Sequence, residues 1–172
     1  MCNQACLSFV EKYLKPEDIA GKNILEVGSL DINGSARYYV EKHNPSKYLG
    51  TDIVKGKGVD EICDVQHLAK KYGENSFDIV ICTEVLEHVQ DWKAAIENMI
   101  SVLRTGGKLI ITTRSPGFPV HNYPSDYWRY TKENFRQIFS DMENVIIEDD
   151  PEKGVLFYGV KGVEMRKIPN VK

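Results

Sequence analysis

A chain of 172 residues, 42% hydrophobic and 27% charged, is expected to be one domain, residues 1–172, large enough to bury a proper core. A net charge of -3 and a pI near 5.8 give no electrostatic footprint for nucleic acid, and no apolar run is long enough for a membrane span or a secretory signal. The cysteines, Cys2, Cys6, Cys63 and Cys82, lack metal-ligand spacing, so a reducing cytoplasm is the expected setting.

In chain order, "CLSFVEKYL" places Leu7, Val10 and Leu14 on one face of a helix that ends near Pro16. "NILEVG" reads as a short buried strand, and "GSARYYVEKH" as a helix closed by Asn44-Pro45. "KYLGTDI" is a second strand, "DEICD" a candidate third and "FDIVICT" a fourth, with Cys63 and Cys82 as small core residues. "DWKAAIENMISVLR" is the clearest helix: Asp91 can cap it, Ile96, Ile100 and Leu103 share a face, and Gly106-Gly107 stop it. "KLIITT" is a fifth strand, Thr131 caps the helix "TKENFRQIF", and "NVIIED" and "VLFYGVKG" form an antiparallel edge pair. The basic pair Arg166-Lys167, beside Glu164, reads as solvated surface.

This alternation predicts an α/β fold of Rossmann-like type, a mostly parallel sheet with helices on both faces and ligands beyond the carboxyl ends of the strands. One connection is unusual. "VKGKGV" is too short for a crossover helix and is read as a glycine loop.

The stretch "ILEVGSLDINGS", residues 24–35, joins the first strand to a helix and has the shape of a cofactor loop. Gly28 allows a tight turn and Asn33-Gly34 tolerates positive φ, while the helix start would aim free N–H groups at the loop. A nicotinamide dinucleotide needs G-x-G-x-x-G to admit its pyrophosphate, but Leu30 occupies the second glycine position. S-adenosylmethionine carries an ammonium and a sulfonium instead, and Glu26 supplies a carboxylate just before the turn. Asp52 ends the second strand where a carboxylate accepts from both ribose hydroxyls. Asp64 ends the third, either as a helix cap or opposite an adenine amino group. Thr83-Glu84 end the fourth, beside the methionine portion.

With "ILEVGS", "YLGTDI", "ICDV", "FDIVICTEVLEHV" and "LRTGGKLIITT" in this order, the chain resembles the class I S-adenosylmethionine-dependent methyltransferases, in particular the small type 11 methyltransferase-domain group. The resemblance covers nearly the whole chain. It implies a seven-stranded sheet with a reversed C-terminal strand, S-adenosylmethionine as cofactor, Glu26 and Gly28 at its methionine part, Asp52 on the ribose, Asp64 facing the adenine, and backbone contacts from Thr83. Ser29, Ile53, Val65 and His88 complete the candidate cofactor contacts. "SLDINGS" departs from the family's richer glycine loop.

After the fifth strand, "RSPGFPVHNYPSDYWRYT" packs aromatics, prolines and polar groups into a non-periodic loop, read as a lid over a methyl acceptor. Its candidate substrate residues are His121, Tyr123, Asp126, Tyr127, Trp128 and Arg129, with Tyr127, Trp128 and Tyr130 alternatively plugging the sheet. His121 is the candidate general base, and Glu84 a second candidate catalytic residue that either hydrogen-bonds the acceptor or simply caps its turn. His88 is read as anchoring its turn, Glu87 as a solvated surface residue, and His43 and His67 receive no role. His121 and Asp126 find no matching ligand pair, so no metal is expected. The expected function is methyl transfer to a small or locally exposed acceptor, a hydroxyl among the candidates, without nucleic acid or membrane partners. The alternatives are a non-catalytic S-adenosylmethionine-binding module and a nicotinamide-dependent reductase, the latter weakened by the missing glycines.

Overall fold

A computed structural model describes residues 3–165 and 168–169; Cys2 and the pair Arg166-Lys167 lie outside them. The strands are β1 (Asn23–Val27), β2 (Lys47–Asp52), β3 (Glu61–Ile62), β4 (Phe77–Thr83), β5 (Leu103–Arg114), β6 (Glu143–Asp150) and β7 (Gly154–Val160). They form one sheet of seven strands in the order β3-β2-β1-β4-β5-β7-β6. β1 to β5 pair in parallel, whereas β7 is antiparallel to both β5 and β6. Chain order reverses between β1 and β4, so their carboxyl ends open a crevice at that switch point.

The helices are α1 (Gln4–Tyr13), α2 (Pro16–Ile19), α3 (Arg37–Val40), α4 (Leu68–Tyr72), α5 (Trp92–Val102) and α6 (Lys132–Ile138). Strand alternation divides the core into two layers. Leu25, Val27, Val80, Cys82, Leu109 and Ile111 pack beneath α4, α5 and α6. Ile24, Ile79, Ile81 and Ile110 point the other way, toward α1, α2 and α3. Each fully buried aliphatic side chain here contributes about 1.5–3 kcal/mol, enough to fix strand register because a one-residue slip would expose the whole set. Among the described residues, no helix is long and apolar enough to cross a membrane.

Local signals hold where the chain acts locally. Asp91 caps α5 by accepting from the Ala94 N–H at 3.1 Å, and Thr131 caps α6 from Asn134 at 3.2 Å. Tertiary pairing overrides them elsewhere. The α5 helix ends at Val102 because Leu103 is buried and pairs with Phe77, so Leu103 opens β5 and Gly106-Gly107 lie within that strand element. α1 buries Cys6, Phe9 and Val10, leaving Leu7 half-buried. The expected helix over "GSARYYVEKH" contracts to α3 and a 3-10 turn, closed by Asn44 at φ 56°. Aromatic and β-branched residues crowd this segment and lower its helix propensity. The "VKGKGV" loop carries no helix, and β3 is only two residues long, pairing Thr51 with Glu61 and Asp52 with Ile62.

Candidate active site

A cavity of about 640 Å³ lies over the switch point. Glu26, Gly28, Ser29, Asp52, Ile53, Asp64, Val65, Thr83 and His88 all line it, together with Glu84 and His121. The loop after β1 is held from below. The Gly28 and Ser29 N–H groups donate to Thr51 O at 2.8 and 3.0 Å, and Leu30 N–H donates to the Asp52 carboxylate at 3.2 Å.

Gly28 sits at φ 70°, and a Cβ there would lie 2.1 Å from the Val85 side chain. The glycine is therefore required by the neighbouring β4 turn. The missing glycines of "SLDINGS" are compensated from the facing "VKGKGV" loop. Asp31 N–H donates to Lys57 O at 2.9 Å, and the Lys57 ammonium pairs with the Asp31 carboxylate at 2.8 Å. Gly58, at φ 84°, passes so close that its Cβ would meet Ser29 O at 2.5 Å. A bulky cofactor loop closes here because its partner loop is small.

Along the wall, Glu26 is buried and its carboxylate accepts from the Ser35 hydroxyl at 3.2 and 3.1 Å. Burial pushes its pKa up to about 7, against the pull of Tyr48, Ser35 and Arg37. The buried Ser29 hydroxyl has no hydrogen-bond partner in the protein, an orphan that a ligand in the cavity can satisfy. Asp52 also accepts from Val54 N–H at 3.1 Å, which aims it while leaving acceptor capacity. Asp64 caps the turn that follows, taking the Gln66 N–H on Oδ1 at 2.8 Å, and lines the cavity as well.

The other end is built from β4, β5 and the lid. Glu84, at φ 57°, pairs with the buried Arg114 guanidinium and accepts from the Thr112 hydroxyl at 2.9 Å. Burial raises its pKa, Glu87 adds to the rise, and Arg114 opposes it. Glu87 is not a surface residue: it is 0% exposed, because Leu86 and Val89 draw its turn into the core. Its Oε2 accepts from the Thr113 hydroxyl at 2.8 Å, and its Oε1 lies 3.7 Å from His121 Nε2 and 3.9 Å from His88 Nε2. His121 Nδ1 faces Asp126 at 3.1 Å, so a carboxylate stands at each ring nitrogen. Glu87 raises the His121 pKa against the opposing effect of burial. His88 Nδ1 lies 2.5 Å from Ser125 O and joins its turn to the loop over residues 115–130.

The loop over residues 115–130 is latched rather than loose. Tyr127 N–H donates to Glu87 O at 2.8 Å, and Trp128 Nε1–H to Val89 O at 3.0 Å. Arg129 grips Asp126 with both guanidinium nitrogens and reaches Pro119 O at 2.9 Å, holding the Asp126 pKa far below the carboxylate range. Tyr123 and Tyr127 line the cavity and are 62% and 46% exposed. Asp126, Trp128 and Arg129 instead fix the lid's shape, and Tyr130 is the aromatic that plugs the core.

Residues 3–143 match the family described as a methyltransferase domain. The chain belongs to the class I S-adenosylmethionine-dependent methyltransferases. Over 141 residues the chain is 37% identical to the ubiquinone biosynthesis O-methyltransferase of Coxiella burnetii, covering 72% of its own length and 55% of the relative's. Over 118 residues it is 30% identical to phosphoethanolamine N-methyltransferase 1 of Triticum aestivum, covering 60% of its own length and 23% of that protein's. In structure it is similar to the 1,6-didemethyltoxoflavin-N1-methyltransferase of Burkholderia thailandensis, with a TM-score of 0.74 at 15% identity over 93% of this chain and 80% of that one. Within the methyltransferase fold, sequence reasoning missed Glu87 and Arg114. The available signal for Glu87 was its apolar setting, "VLEHV", which a solvated residue does not need.

Proposed function

We propose that the protein moves a methyl group from S-adenosylmethionine to an uncharged, hydroxyl-bearing small molecule seated beneath residues 115–130. The observation that carries the acceptor class is the charge of the wall. Among the described residues, no Lys or Arg lines the cavity, whereas Glu26, Asp52, Asp64 and Glu84 do. A phosphorylated acceptor, as named for the wheat relative, would find no Lys or Arg side chain on the wall to hold its phosphate. The Coxiella relative is named an O-methyltransferase, in keeping with a hydroxyl.

In this reading Glu26 takes the cofactor's ammonium, Asp52 the ribose hydroxyls and Asp64 the adenine amino group. Ile53 and Val65 flank the base, and Ser29, Thr83 and His88 complete the pocket. With S-adenosylmethionine bound, transfer would be an in-line displacement in which the sulfur–methyl bond breaks as the bond from the acceptor oxygen forms, the hydroxyl proton passing to solvent at the acceptor end. His121 is assigned to activating the hydroxyl. Glu84, held by Arg114 and Thr112, shapes the floor beneath the reacting carbon.

Labelled-methyl transfer to a panel of neutral phenols and alcohols and of phosphorylated amines tests the reading. Transfer to the neutral hydroxyl compounds is expected, and a preference for the phosphorylated amines would overturn the acceptor class. A second expectation concerns pH. Glu26, with its pKa raised to about 7, is protonated in the empty site below that value and must ionise to hold an ammonium. Affinity for S-adenosylmethionine should therefore rise by up to about tenfold per pH unit toward pH 7 and then level off. By the same linkage, the raised carboxyl costs the empty protein stability as pH climbs from the unfolded value to about 7. Calorimetry across pH checks this, and Glu26→Gln should flatten the binding profile. A wild-type profile without slope would remove Glu26 from the ammonium site.

A further inference from the structure

We propose that Glu87, His88 and His121 form a binding site for a divalent transition-metal ion of the zinc class at the acceptor end of the cavity. One ligand atom from each lies within 4.8 Å of the others, and no other such group occurs among the described residues. Both histidines are prepared in the way metal ligands are. His88 Nδ1 is held by Ser125 O at 2.5 Å, and His121 Nδ1 faces the Asp126 carboxylate at 3.1 Å. These contacts fix each ring and turn its Nε2 toward Glu87. Both Nε2 atoms converge on one oxygen of Glu87.

That oxygen is unusual. Glu87 is fully buried, Thr113 occupies its Oε2, and its Oε1 accepts no hydrogen bond. His121 Nε2 is likewise buried without a hydrogen-bond partner, and the 3.7 Å between them is too long for a hydrogen bond. Two atoms bound to one zinc ion at about 2.0–2.2 Å lie about 3.4 Å apart in tetrahedral geometry. The separations from Glu87 Oε1, 3.7 and 3.9 Å, exceed that by only a few tenths of an ångström.

Two imidazoles and one carboxylate favour zinc or a neighbouring transition metal over magnesium or calcium. Glu84 is excluded as a ligand because Arg114 and Thr112 occupy it. His88 and His121 line the cavity and Glu87 lies behind them, so the remaining coordination position would face the acceptor. The expectation of no metal paired His121 with Asp126 and found no further ligands; the group that converges here is instead Glu87, His88 and His121. The consequence for the acceptor rests on the proposed function, but the site can be tested without turnover.

The test titrates chelator-treated, full-length protein with Co²⁺ alone, read by visible ligand-field absorption, and with Zn²⁺ alone, read by calorimetry. One equivalent should bind, with a cobalt spectrum of low coordination number. Glu87→Gln, which keeps the side chain's shape and its Thr113 contact, and His88→Ala should each weaken binding by at least about 100-fold. Asp126→Asn, which removes the carboxylate behind His121 and weakens its pair with Arg129, should weaken it by about 10–100-fold. His43→Ala, away from the cavity, should change nothing. Thermal melting of the same samples verifies that the variants are folded, and S-adenosylmethionine binding by the wild-type protein separates this outcome from failure of the methyltransferase reading. Absence of stoichiometric binding, or binding that survives Glu87→Gln and His88→Ala, would overturn the site.

Discussion

His121→Ala is expected to lower the methyl-transfer rate by about 10²–10⁴-fold while leaving S-adenosylmethionine affinity within a few-fold of wild type. The split follows from geometry. The ribose, adenine and ammonium positions are assigned to Asp52, Asp64 and Glu26, at the ends of β2, β3 and β1, whereas His121 enters from the lid beside His88 and Phe118. Its removal strips the acceptor end of one of the three groups that converge there. Single-turnover rates at saturating cofactor, paired with calorimetry, measure the two halves separately. His121→Asn keeps a polar side chain but cannot take a proton and is a poor metal ligand, so it should be nearly as slow. Turnover close to wild type in both variants would take His121 out of the chemistry. Loss of cofactor affinity instead would make it a support for the cavity as a whole.

That Glu26, Asp52 and Thr83 share one cavity wall was readable because α/β alternation already says where strand-end residues go. Once β1, β2 and β4 are recognised as parallel, Glu26, Asp52 and Thr83 must share one edge of the sheet, whatever the details between them. The acceptor half is not encoded that way. Glu87 becomes a buried carboxylate only because Thr113 of β5 stands opposite and Leu86 and Val89 anchor its turn, contacts separated by many residues. Leu30 looked like an obstacle to a cofactor loop, and the relief comes from Gly56 on the facing loop, where a Cβ would lie 2.2 Å from the Leu30 side chain. The same division runs through the fold. Asp91 and Thr131 announce their helices by their own side chains, whereas the end of α5 is decided by Leu103 pairing with Phe77.

Arg114→Met should destabilise the protein by about 3–5 kcal/mol, the scale for removing one partner of a buried ion pair. The Arg114 side chain is 4% exposed, lies over the Phe118 ring at 4.1 Å, and joins Glu84 to Asp150, 3.4 Å from its Nη1. Asp150 in turn accepts from Asn3 Nδ2 at 2.8 Å, so the guanidinium ties the α1 cap to the floor of the cavity. Methionine fills much of the same volume, and the predicted loss therefore reports charge rather than a void. Both carboxylates keep some partners, Thr112 for Glu84 and the Glu152 N–H for Asp150, which argues against a larger effect. The sign with pH follows from Glu84. Burial and Glu87 already raise its pKa, and losing Arg114 removes an opposing influence. A carboxyl raised in the folded state costs stability above its unfolded pKa, so the deficit should be smaller near pH 5 than near pH 8. Denaturant unfolding at the two pH values measures it. Arg114→Met combined with Asp150→Asn should recover part of the loss by removing one of the stranded charges. An equal deficit at both pH values would mean that packing, not the buried charge, is what Arg114 contributes.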